Sequence, residues 1–461
     1  MSQTDFSSLK LQPNLLNNVS SLGFEVMTPI QAQSLPHILA GKDVIGQAKS
    51  GSGKTAAFGL GLLEKLDVVT CRVQSLVLCP TRELADQVSK VIRQLARTLP
   101  NVKILTLCGG MPIRPQTTSL EHGAHIVVGT PGRVDKHLRK GSLTLTDLTT
   151  LVLDEGDRML DMGFQDQLDA IVAQAPARRQ TLLFSATYPG KIRAIADRIM
   201  VDPVMVKVAS SHDSSSIQQH FYEVDEDHRM VALRLLLQHH RPDSSVVFCE
   251  TKIEAQEVSD ELAYGGFSTL ALHGDLEQGE RDETLVRFAN KSVSILVATD
   301  VAARGLDIDA IDVVFNYRIS RDFEQHVHRI GRTGRAGSQG MACSLYCERE
   351  RDKMSRLQDY LGQTLKSKPL PSPSTLDAPR MEAPMVTLKM GMGKKQKVRP
   401  GNILGALTGA NGLEGSQVGK IHIFDHRSYV AVTRDAVTCA LKKLGEEKLM
   451  GRSMRGWLVQ D

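Results

Sequence analysis

Short apolar runs alternate with amphipathic helical stretches along most of the chain, in two successive series. The first series contains SLVLCP, KILTLCGG, HIVVGTPG, TLVLDEGD and TLLFSAT, and the second contains SVVFCET, TLALHGD, SILVATD and VVFNY. A parallel sheet flanked by helices requires such an alternation. Almost every run ends in polar or glycine residues, and ligands of doubly wound sheets bind beyond the carboxyl ends of the strands. The sequence therefore predicts two tandem α/β domains with a binding site in the cleft between them.

Two polar segments divide the 461 residues into three parts. VASSHDSSSIQQH at 208–220 is short and rich in serine. The segment 366–384 contains five prolines, which favour extended backbone and cannot continue a helix or a central strand. We therefore predict three domains, a first at 1–209, a second at 217–365 and a C-terminal domain at 385–461, with a Pro-rich linker at 366–384 between the last two.

The composition excludes several protein classes. Hydrophobic residues make up 41% of the chain and charged residues 23%, which is enough to bury cores. No apolar run approaches the roughly 18 residues of a membrane span, and the start, MSQTDFSSLK, lacks the basic and apolar blocks of a signal peptide. The seven cysteines lie mostly inside apolar runs, which is typical of buried thiols in a reducing compartment. We expect a cytoplasmic protein without a membrane segment.

The positive charge of the chain is concentrated at its end. Residues 381–461 carry a net charge of +6, whereas the whole chain carries +4. A near-neutral body with a basic end indicates a part that binds a polyanion. An ordinary solvated surface is the alternative interpretation of the charge alone.

The segment AKSGSGKT at residues 48–55 has the composition of a phosphate-binding loop. Its glycines allow backbone N–H groups to approach phosphate oxygens, Lys54 can reach the β- and γ-phosphates, and the Thr55 hydroxyl can ligate Mg²⁺. The usual pattern has glycine at the position of Ala48, and a Gly-Ser turn before a helix is the alternative. The predicted nucleotide-binding residues of this loop are Ser50, Gly51, Ser52, Gly53, Lys54 and Thr55.

A second motif, LVLDEGD at 151–157, supports the first. A buried strand would deliver Asp154 and Glu155 to the same edge of the sheet as the phosphate loop. An aspartate there can hold Mg²⁺, directly or through water, and the adjacent glutamate can orient and deprotonate the attacking water. The alternative is that the two carboxylates only cap the following helix.

Together with further motifs, residues 1–365 resemble the DEAD-box RNA helicases of superfamily 2. The first domain contains Phe6 with GFEVMTPIQ (23–31), PTREL (80–84), a Gly-Gly pair ending at Gly110, TPGR (130–133) and the SAT sequence at 185–187. The second contains VFCET (247–251), HGDLEQGER (273–281), ATDVAARGLD (298–307) and HRIGRTGR (328–335). The resemblance implies two tandem RecA-like domains and an ATP-dependent RNA helicase that uses ATP and Mg²⁺.

The resemblance also implies roles for individual residues. Gln31, with Phe24 nearby, would recognise the adenine, and Asp307 would lie near the ribose. Asp157, Ser185 and Thr187 would couple the nucleotide state to domain closure. The residues expected to hold RNA in the two α/β domains are Arg82, Gly110, Thr130, Arg133, Gly274 and Thr299. Aromatic residues make up only 4% of the chain. RNA binding through sugar and phosphate contacts therefore suits the composition better than stacking of bases on aromatic side chains.

Two arginines of the last motif have a physical rationale of their own. Phosphoryl transfer spreads negative charge over the γ-phosphoryl oxygens, and an arginine from outside the phosphate loop stabilises it. By resemblance, Arg332 is this arginine finger and Arg335 its partner. One departure from the family is Gly156, where the family has alanine; we expect altered coupling at most, with hydrolysis retained.

Residues 385–461 predict the element order βαββαβ of an RRM-like α+β domain. Of the three aromatic positions by which RRM sheets stack on bases, Tyr429 fits one, while Arg427 and Val432 occupy the others. Ordinary stacking is therefore not expected. The basic residues before the first helix could instead meet phosphates, with a solvated loop as the alternative. These residues are Lys394, Lys395, Lys397 and Arg399.

This combination of domains resembles a bacterial subgroup of DEAD-box helicases whose C-terminal domain binds a hairpin of 23S ribosomal RNA. The resemblance implies action on pre-50S ribosomal particles in large-subunit assembly, by a protein that we expect to be a monomer. Two alternatives remain. One is an ATP-gated RNA clamp without obligatory unwinding, and the other is a general mRNA or cold-shock helicase with a nonspecific basic tail.

Overall fold

A parallel β-sheet forms the core of the first part of the chain in this computed structural model. The structure describes residues 5–48, 51–208, 217–303, 311–334, 339–446, 448–449, 452–453 and 455–459. Up to Val208, the described strands are β1 (Val44–Gln47), β2 (Ser75–Leu78), β3 (Ile104–Leu107), β4 (Ile126–Gly129), β5 (Thr150–Asp154), β6 (Gln180–Ser185) and β7 (Val204–Lys207). They are all parallel, in the order β3-β4-β2-β5-β6-β1-β7.

Helices cover both faces of this sheet. They are α1 (Pro13–Ser21), α2 (Pro29–Leu39), α3 (Lys54–Glu64), α4 (Arg82–Leu95), α5 (Ile113–Glu121), α6 (Pro131–Arg139), α7 (Gly156–Asp161), α8 (Gln165–Gln174) and α9 (Gly190–Ile199). Val77 and Val128 belong to one buried cluster, whereas their neighbours Leu76 and Val127 belong to the other. Because both faces are buried, these strands read as unbroken apolar runs in the sequence.

A second parallel sheet follows from Ile217. Its strands are β8 (Ile217–Glu223), β9 (Ser245–Cys249), β10 (Thr269–Leu272), β11 (Ile295–Thr299), β12 (Val313–Asn316) and β13 (Gly340–Tyr346), in the order β10-β11-β9-β12-β13-β8. The helices are α10 (Arg229–His240), α11 (Lys252–Tyr264), α12 (Gln278–Ala289), α13 (Asp300–Ala303), α14 (Phe323–Ile330) and α15 (Arg351–Leu361).

The last part of the chain contains an antiparallel sheet with helices on one face. Its elements are β14 (Met385–Met390), α16 (Pro400–Thr408), β15 (Val418–Ile423), β16 (Ser428–Thr433), α17 (Val437–Glu446) and β19 (Gly456–Leu458), with a short pair β17 (Lys448–Leu449) and β18 (Arg452–Ser453) between the last two. The sheet order is β15-β16-β14-β19. Leu388 and Val430 pack from the sheet into one core with Ile403 of α16 and Leu444 of α17.

The Pro-rich segment packs against the second parallel sheet domain. The Lys368 N–H donates to the carbonyl oxygen of Phe221 at 2.7 Å. Gln238 donates to the carbonyl oxygen of Pro379 at 2.9 Å, and the Arg380 guanidinium lies 5.0 Å from the centroid of the Phe267 ring. The carbonyl oxygen of Pro379, which lies outside the strands, is thus satisfied by a side chain of helix α10.

The described residues form two compact units, one up to Val208 and one from Ile217 onward, so the C-terminal sheet shares a unit with the second parallel sheet. No described helix has the length and apolar content needed to cross a membrane. All seven cysteines lie in the described part of the chain and are free thiols. The predicted fold class, two parallel-sheet domains followed by a smaller α+β domain, is confirmed, whereas the predicted domain boundaries stay a prediction.

Candidate active site

The loop between β1 and α3 has a backbone that requires glycine. Gly51 and Gly53 have φ angles of 79° and 92°, a region that favours glycine. A Cβ atom at Gly53 would lie 2.5 Å from the Gln31 side-chain nitrogen. A backbone of this kind directly before the N-terminus of a helix is suited to binding phosphate. Ser50 lies outside the described residues.

Lys54 and Ser52 place polar atoms inside this loop. Lys54 is the first residue of α3 and is 6% exposed, and its ammonium donates to the carbonyl oxygen of Ala48 at 2.8 Å. Thr55 follows it on the same helix. The Ser52 hydroxyl is buried without a hydrogen-bond partner among the described residues. A buried polar atom of this kind fits a site that binds a polar ligand.

Asp154 and Glu155 lie where strand β5 ends. Burial raises the pKa of Asp154 to about 7, while the nearby Lys54 ammonium acts to lower it and Glu155 to raise it. Within the described part of the chain, the Asp154 Oδ1 has no hydrogen-bond partner. A buried carboxylate in this state is suited to a divalent cation, since the cation supplies the missing positive charge. Asp154 thus fits the predicted Mg²⁺ site, and the role of Thr55 as a second ligand stays a prediction.

Glu155 has an unusual backbone. Its φ angle is 53°, in the left-handed region that non-glycine residues seldom adopt, and it caps the N-terminus of α7. Strain of this kind is typical of functional sites. A carboxylate oxygen of Glu155 lies 3.3 Å from the Arg158 guanidinium, with both side chains nearly buried. Arg158 is not among the residues predicted from the sequence, although it stands three positions after Glu155.

The three predicted coupling residues lie together at the ends of β5 and β6. The Asp157 carboxylate accepts hydrogen bonds from the Thr187 N–H at 3.0 Å and the Thr187 hydroxyl at 2.8 Å. The Asp157 N–H donates to the Ser185 hydroxyl oxygen at 3.4 Å. Burial acts to raise the pKa of Asp157, but hydrogen bonds from Ser185 and Thr187 outweigh it and lower the pKa.

Gln31 links the N-terminal segment to the phosphate loop. Its side-chain oxygen accepts from the Thr28 N–H at 2.9 Å, and its nitrogen donates to the Gly53 carbonyl oxygen at 3.1 Å. The Phe24 and Phe6 rings pack edge to face, with centroids 6.4 Å apart. The structure thus gives Gln31 a contact with the loop that sequence analysis did not anticipate, and its recognition of adenine stays a prediction.

The predicted RNA-binding residues of the first unit lie at the carboxyl ends of three neighbouring strands, β2, β4 and β3. Arg82 begins α4 so close to Gly110 that a Cβ at Gly110 would lie 2.0 Å from the guanidinium. Arg133 donates to the Met111 carbonyl oxygen at 2.8 Å, and Thr130 caps α6. The residues predicted to bind the nucleotide or to couple its state to domain closure lie instead at the ends of β1, β5 and β6. The two predicted groups therefore occupy different parts of one sheet edge.

In the second unit, two predicted RNA-binding residues also end neighbouring strands. Gly274 follows β10, and Thr299 is the last residue of β11. A Cβ at Gly274 would meet no atom within 4 Å, so the backbone there is open to a ligand. Asp307 and Arg335 lie outside the described residues, so their predicted roles are not addressed by the structure.

Arg332 lies directly after helix α14, and a buried ion pair anchors that helix. Arg329 is 2% exposed, and both of its contacts with the Asp300 carboxylate are 2.6 Å long. Arg329 also donates to the Arg318 carbonyl oxygen at 2.9 Å, and its guanidinium lies 5.3 Å from the Phe248 ring centroid. This ion pair was not predicted from the sequence, although Asp300 and Arg329 both belong to helicase motifs.

The basic loop of the C-terminal domain has a fixed backbone. The N–H groups of Lys394 and Lys395 donate to the carbonyl oxygens of Phe424 and Asp425 at 2.8 and 2.9 Å. A Cβ at Gly393 would lie 2.1 Å from the Phe424 carbonyl oxygen. The two segments of backbone therefore approach so closely that only glycine fits at this position. The side chains that this loop exposes just before α16 are those of Lys394, Lys395, Lys397 and Arg399.

Tyr429 does not lie on an open sheet face. Its side chain is fully buried, and its hydroxyl donates to a Glu283 carboxylate oxygen of α12 at 2.9 Å. Lys389 and Arg427 flank it, with ion pairs of 2.7 Å to Glu283 and 3.2 Å to Asp282. This tyrosine therefore cannot stack on a base in the described arrangement, in agreement with the poor RRM signature of the sequence.

Comparison with known proteins agrees with this arrangement. Residues 28–195 match the family described as DEAD/DEAH box helicase, residues 228–337 match the helicase conserved C-terminal domain, and residues 387–456 match the DbpA RNA binding domain. S. cerevisiae Dbp5 bound to RNA and ADP BeF3 aligns with a TM-score of 0.72 at 29% identity, covering 79% of this chain and 95% of Dbp5.

Two curated relatives extend the comparison. The chain is 46% identical over 356 residues to the DEAD-box ATP-dependent RNA helicase CshA of Bacillus cereus, covering 77% of this chain and 68% of CshA. It is 52% identical over 458 residues to the ATP-dependent RNA helicase DbpA of Escherichia coli, covering 99% of this chain and 100% of that protein. The chain belongs to the DEAD-box family of ATP-dependent RNA helicases.

Proposed function

We propose that this helicase is recruited to 23S ribosomal RNA by its C-terminal domain and acts on assembling large ribosomal subunits in the cytoplasm. The observation that carries the proposal is the fixed basic loop at residues 394–399, which presents four cationic side chains beside the N-terminus of α16. Phosphate groups bind at such positions. The similarity of residues 387–456 to the DbpA RNA binding domain supports a specific RNA over a general one.

We further propose the following roles for the predicted catalytic residues. Lys54 and the loop N–H groups bind the β- and γ-phosphates of ATP, and Glu155 orients and deprotonates the attacking water. Thr55 and Asp154 would hold Mg²⁺, which would neutralise charge on the phosphate oxygens. Arg332 stabilises the charge that develops on the transferred phosphoryl group. RNA acts as the ligand that favours the competent conformation, by binding it more tightly than the other conformations.

The proposed recruitment is tested by the RNA concentration that half-activates the ATPase. We expect 23S ribosomal RNA to activate wild-type protein at lower concentration than an unrelated RNA of equal length. The double variant Lys394→Gln, Lys395→Gln should lose most of this preference. The matched control is Lys442→Gln, Lys443→Gln, which removes the same charge from α17 and should keep it. Equal activation of the wild type by both RNAs would refute the proposal and favour a general RNA helicase.

The clamp hypothesis requires a separate measurement. A short duplex attached to the 23S ribosomal RNA hairpin should be displaced by the wild-type protein in the presence of ATP. Strong RNA-stimulated hydrolysis without displacement would instead support an ATP-gated clamp. Sedimentation during the same experiments would test the expectation of a monomer.

A further inference from the structure

Three side chains that commonly ligate metals converge on one face of the second parallel sheet. His220 lies in the edge strand β8, and Cys343 is its register partner in the adjacent strand β13. Register partners on neighbouring strands point to the same face and lie about 5 Å apart. His240 is the last residue of α10, a helix whose buried side chains pack on that face with Tyr222 and Cys343.

The distances fit a small metal ion. The candidate ligand atoms of the two histidines and the cysteine all lie within 4.8 Å of one another. His240 Nε2 is 3.7 Å from Cys343 Sγ. A tetrahedral Zn²⁺ about 2.0 Å from nitrogen and about 2.3 Å from sulfur places these two atoms about 3.5 Å apart. The pair therefore already has the required separation.

The surroundings favour the ligating, neutral form of the two histidines. Burial lowers the pKa of His240 to about 4 and also lowers the pKa of His220, so both rings are neutral and have a lone pair to donate. Burial raises the pKa of Cys343 to about 12, and the Tyr222 hydroxyl and the Lys368 ammonium act against this rise. Zn²⁺ deprotonates a coordinating thiol, so binding would release a proton. The Lys368 side chain is exposed and can turn away from the cation.

Position and access also suit a cation. Cys343 is buried, whereas His220 and His240 are half-buried, so an ion can enter from solvent and keep one water ligand. The C-terminus of α10 carries the negative end of the helix dipole, which attracts cations. Strands β8 and β9 run in the same direction, so α10, which connects them, runs in the opposite direction. The C-terminus of α10 therefore lies at the amino edge of the sheet, whereas Gly274 and Thr299 lie at the carboxyl edge. A structural role fits this place better than a catalytic one.

We propose that His220, His240 and Cys343 bind one Zn²⁺ ion, with water as the fourth ligand. The ion joins the edge strand β8 to β13 and to the end of α10. These ligands come together only in the folded domain, so zinc stabilises it against unfolding.

The experiment uses the full-length protein, stripped with EDTA and kept reduced. Zn²⁺ affinity is measured by competition with a chromophoric chelator, and Co²⁺ is used as a spectroscopic probe. We expect one Zn²⁺ per chain, and a Co²⁺ spectrum with the thiolate charge-transfer band and the intense visible bands of tetrahedral cobalt. Cys343→Ser and His220→Gln should weaken binding about 100-fold or more, since even partners that only hydrogen-bond to ligands change affinity about 10- to 100-fold.

Cys347→Ser is the matched control, because it removes a buried thiol four positions further along the same segment and should bind zinc as the wild type does. His220→Gln tests folding, since its melting temperature in EDTA should equal that of the wild type while the rise with Zn²⁺ is lost. Absence of stoichiometric uptake by the wild type would overturn the proposal. Equal uptake by the wild type, Cys343→Ser and His220→Gln would overturn it as well.

Discussion

Arg332 follows helix α14, which the Arg329–Asp300 ion pair holds in place, and the Arg332 N–H donates to the Arg329 carbonyl oxygen at 3.1 Å. We predict that Arg332→Ala lowers kcat for RNA-stimulated ATP hydrolysis by about 10³-fold, or about 4 kcal/mol of transition-state stabilisation. Arg321→Ala is the matched control, because the Arg321 side chain is 82% exposed and its ion pair with Glu250 is long, at 3.9 Å. Steady-state hydrolysis with saturating RNA measures both. A kcat near the wild-type value in Arg332→Ala would remove this arginine from the mechanism.

Gly156 is a second residue whose effect can be argued from its surroundings. A Cβ there would meet Ile192 at 3.4 Å and Leu183 at 3.7 Å, which are ordinary contacts, and Gly156 begins helix α7. Gly156→Ala should therefore stabilise the first unit by about 0.4–1 kcal/mol, mainly by reducing the entropy of the unfolded chain, and should leave hydrolysis intact. Urea unfolding measures the change. Gly53→Ala is the contrasting variant, and its left-handed backbone and close contact with Gln31 should make it lose ATP binding.

At the level of elements, the buried guanidinium of Arg229 joins helix α10 to the segments that follow β12 and β13. Arg229 is 1% exposed and donates to Glu350 at 2.7 Å, to Glu226 at 2.9 Å and to the Tyr317 carbonyl oxygen at 2.6 Å. Burial acts to raise the pKa of Glu350, yet the bonds with Arg229 outweigh it and lower the pKa. Hydrogen bonds, first from Arg318 and then from Arg229, lower the pKa of Glu226 to about 2.

These lowered pKa values predict how stability depends on pH. A carboxyl group with a lowered folded-state pKa contributes stability above its unfolded pKa and loses it as pH falls through the folded value. The free energy of unfolding of the second unit should therefore fall between about pH 5 and pH 2. Glu350→Gln should cost about 3 kcal/mol near neutral pH and make the pH dependence shallower. The control is Glu348→Gln: the Glu348 side chain is 83% exposed, so the substitution should change the free energy of unfolding by less than about 1 kcal/mol. Equal pH profiles for both variants would contradict the argument.

A second contact between elements joins strand β16 to helix α12 through Tyr429 and Glu283. Tyr429→Phe removes the hydroxyl that donates to Glu283 and leaves the ring in place, so we expect a loss of about 1–2 kcal/mol. Trp457, the single tryptophan of the chain, lies in β19 and reports the unfolding of the C-terminal sheet by fluorescence. In Glu283→Gln the same tyrosine substitution should cost less. Additive effects of the two substitutions would show that the hydrogen bond contributes nothing.

Over the whole molecule, the strands and the motifs at their ends could be predicted from the sequence, because each is written in a short segment. Contacts between residues that are far apart in the chain could not be predicted. Buried strands such as β2 read as apolar runs because both faces are covered, and the residues at their carboxyl ends stand in recognisable motifs. Arg229, in contrast, looks like an ordinary exposed helix residue, because its partner Glu350 is 121 positions away. The burial of Tyr429 depends on Glu283, 146 positions away, in an element that its own sequence neighbourhood does not reveal.

The same long-range contacts decide what removing the C-terminal domain should do. Deleting residues 385–461 takes away the basic loop but leaves the described phosphate loop, Asp154 and Glu155 untouched, so basal ATP hydrolysis should stay within about threefold of the wild type, less than 1 kcal/mol. Preference for 23S ribosomal RNA should disappear.

The deletion also exposes Asn290, whose side chain donates to Thr387 at 3.1 Å, and leaves Glu283 without Lys389 and Tyr429. Hydrogen exchange at α12 should therefore rise in the truncated protein, while exchange in α3 should not. If the truncated protein kept its RNA preference, the two α/β domains would have to recognise the RNA themselves; if α12 exchanged as in the full chain, the contact between the C-terminal sheet and that helix would contribute no stability.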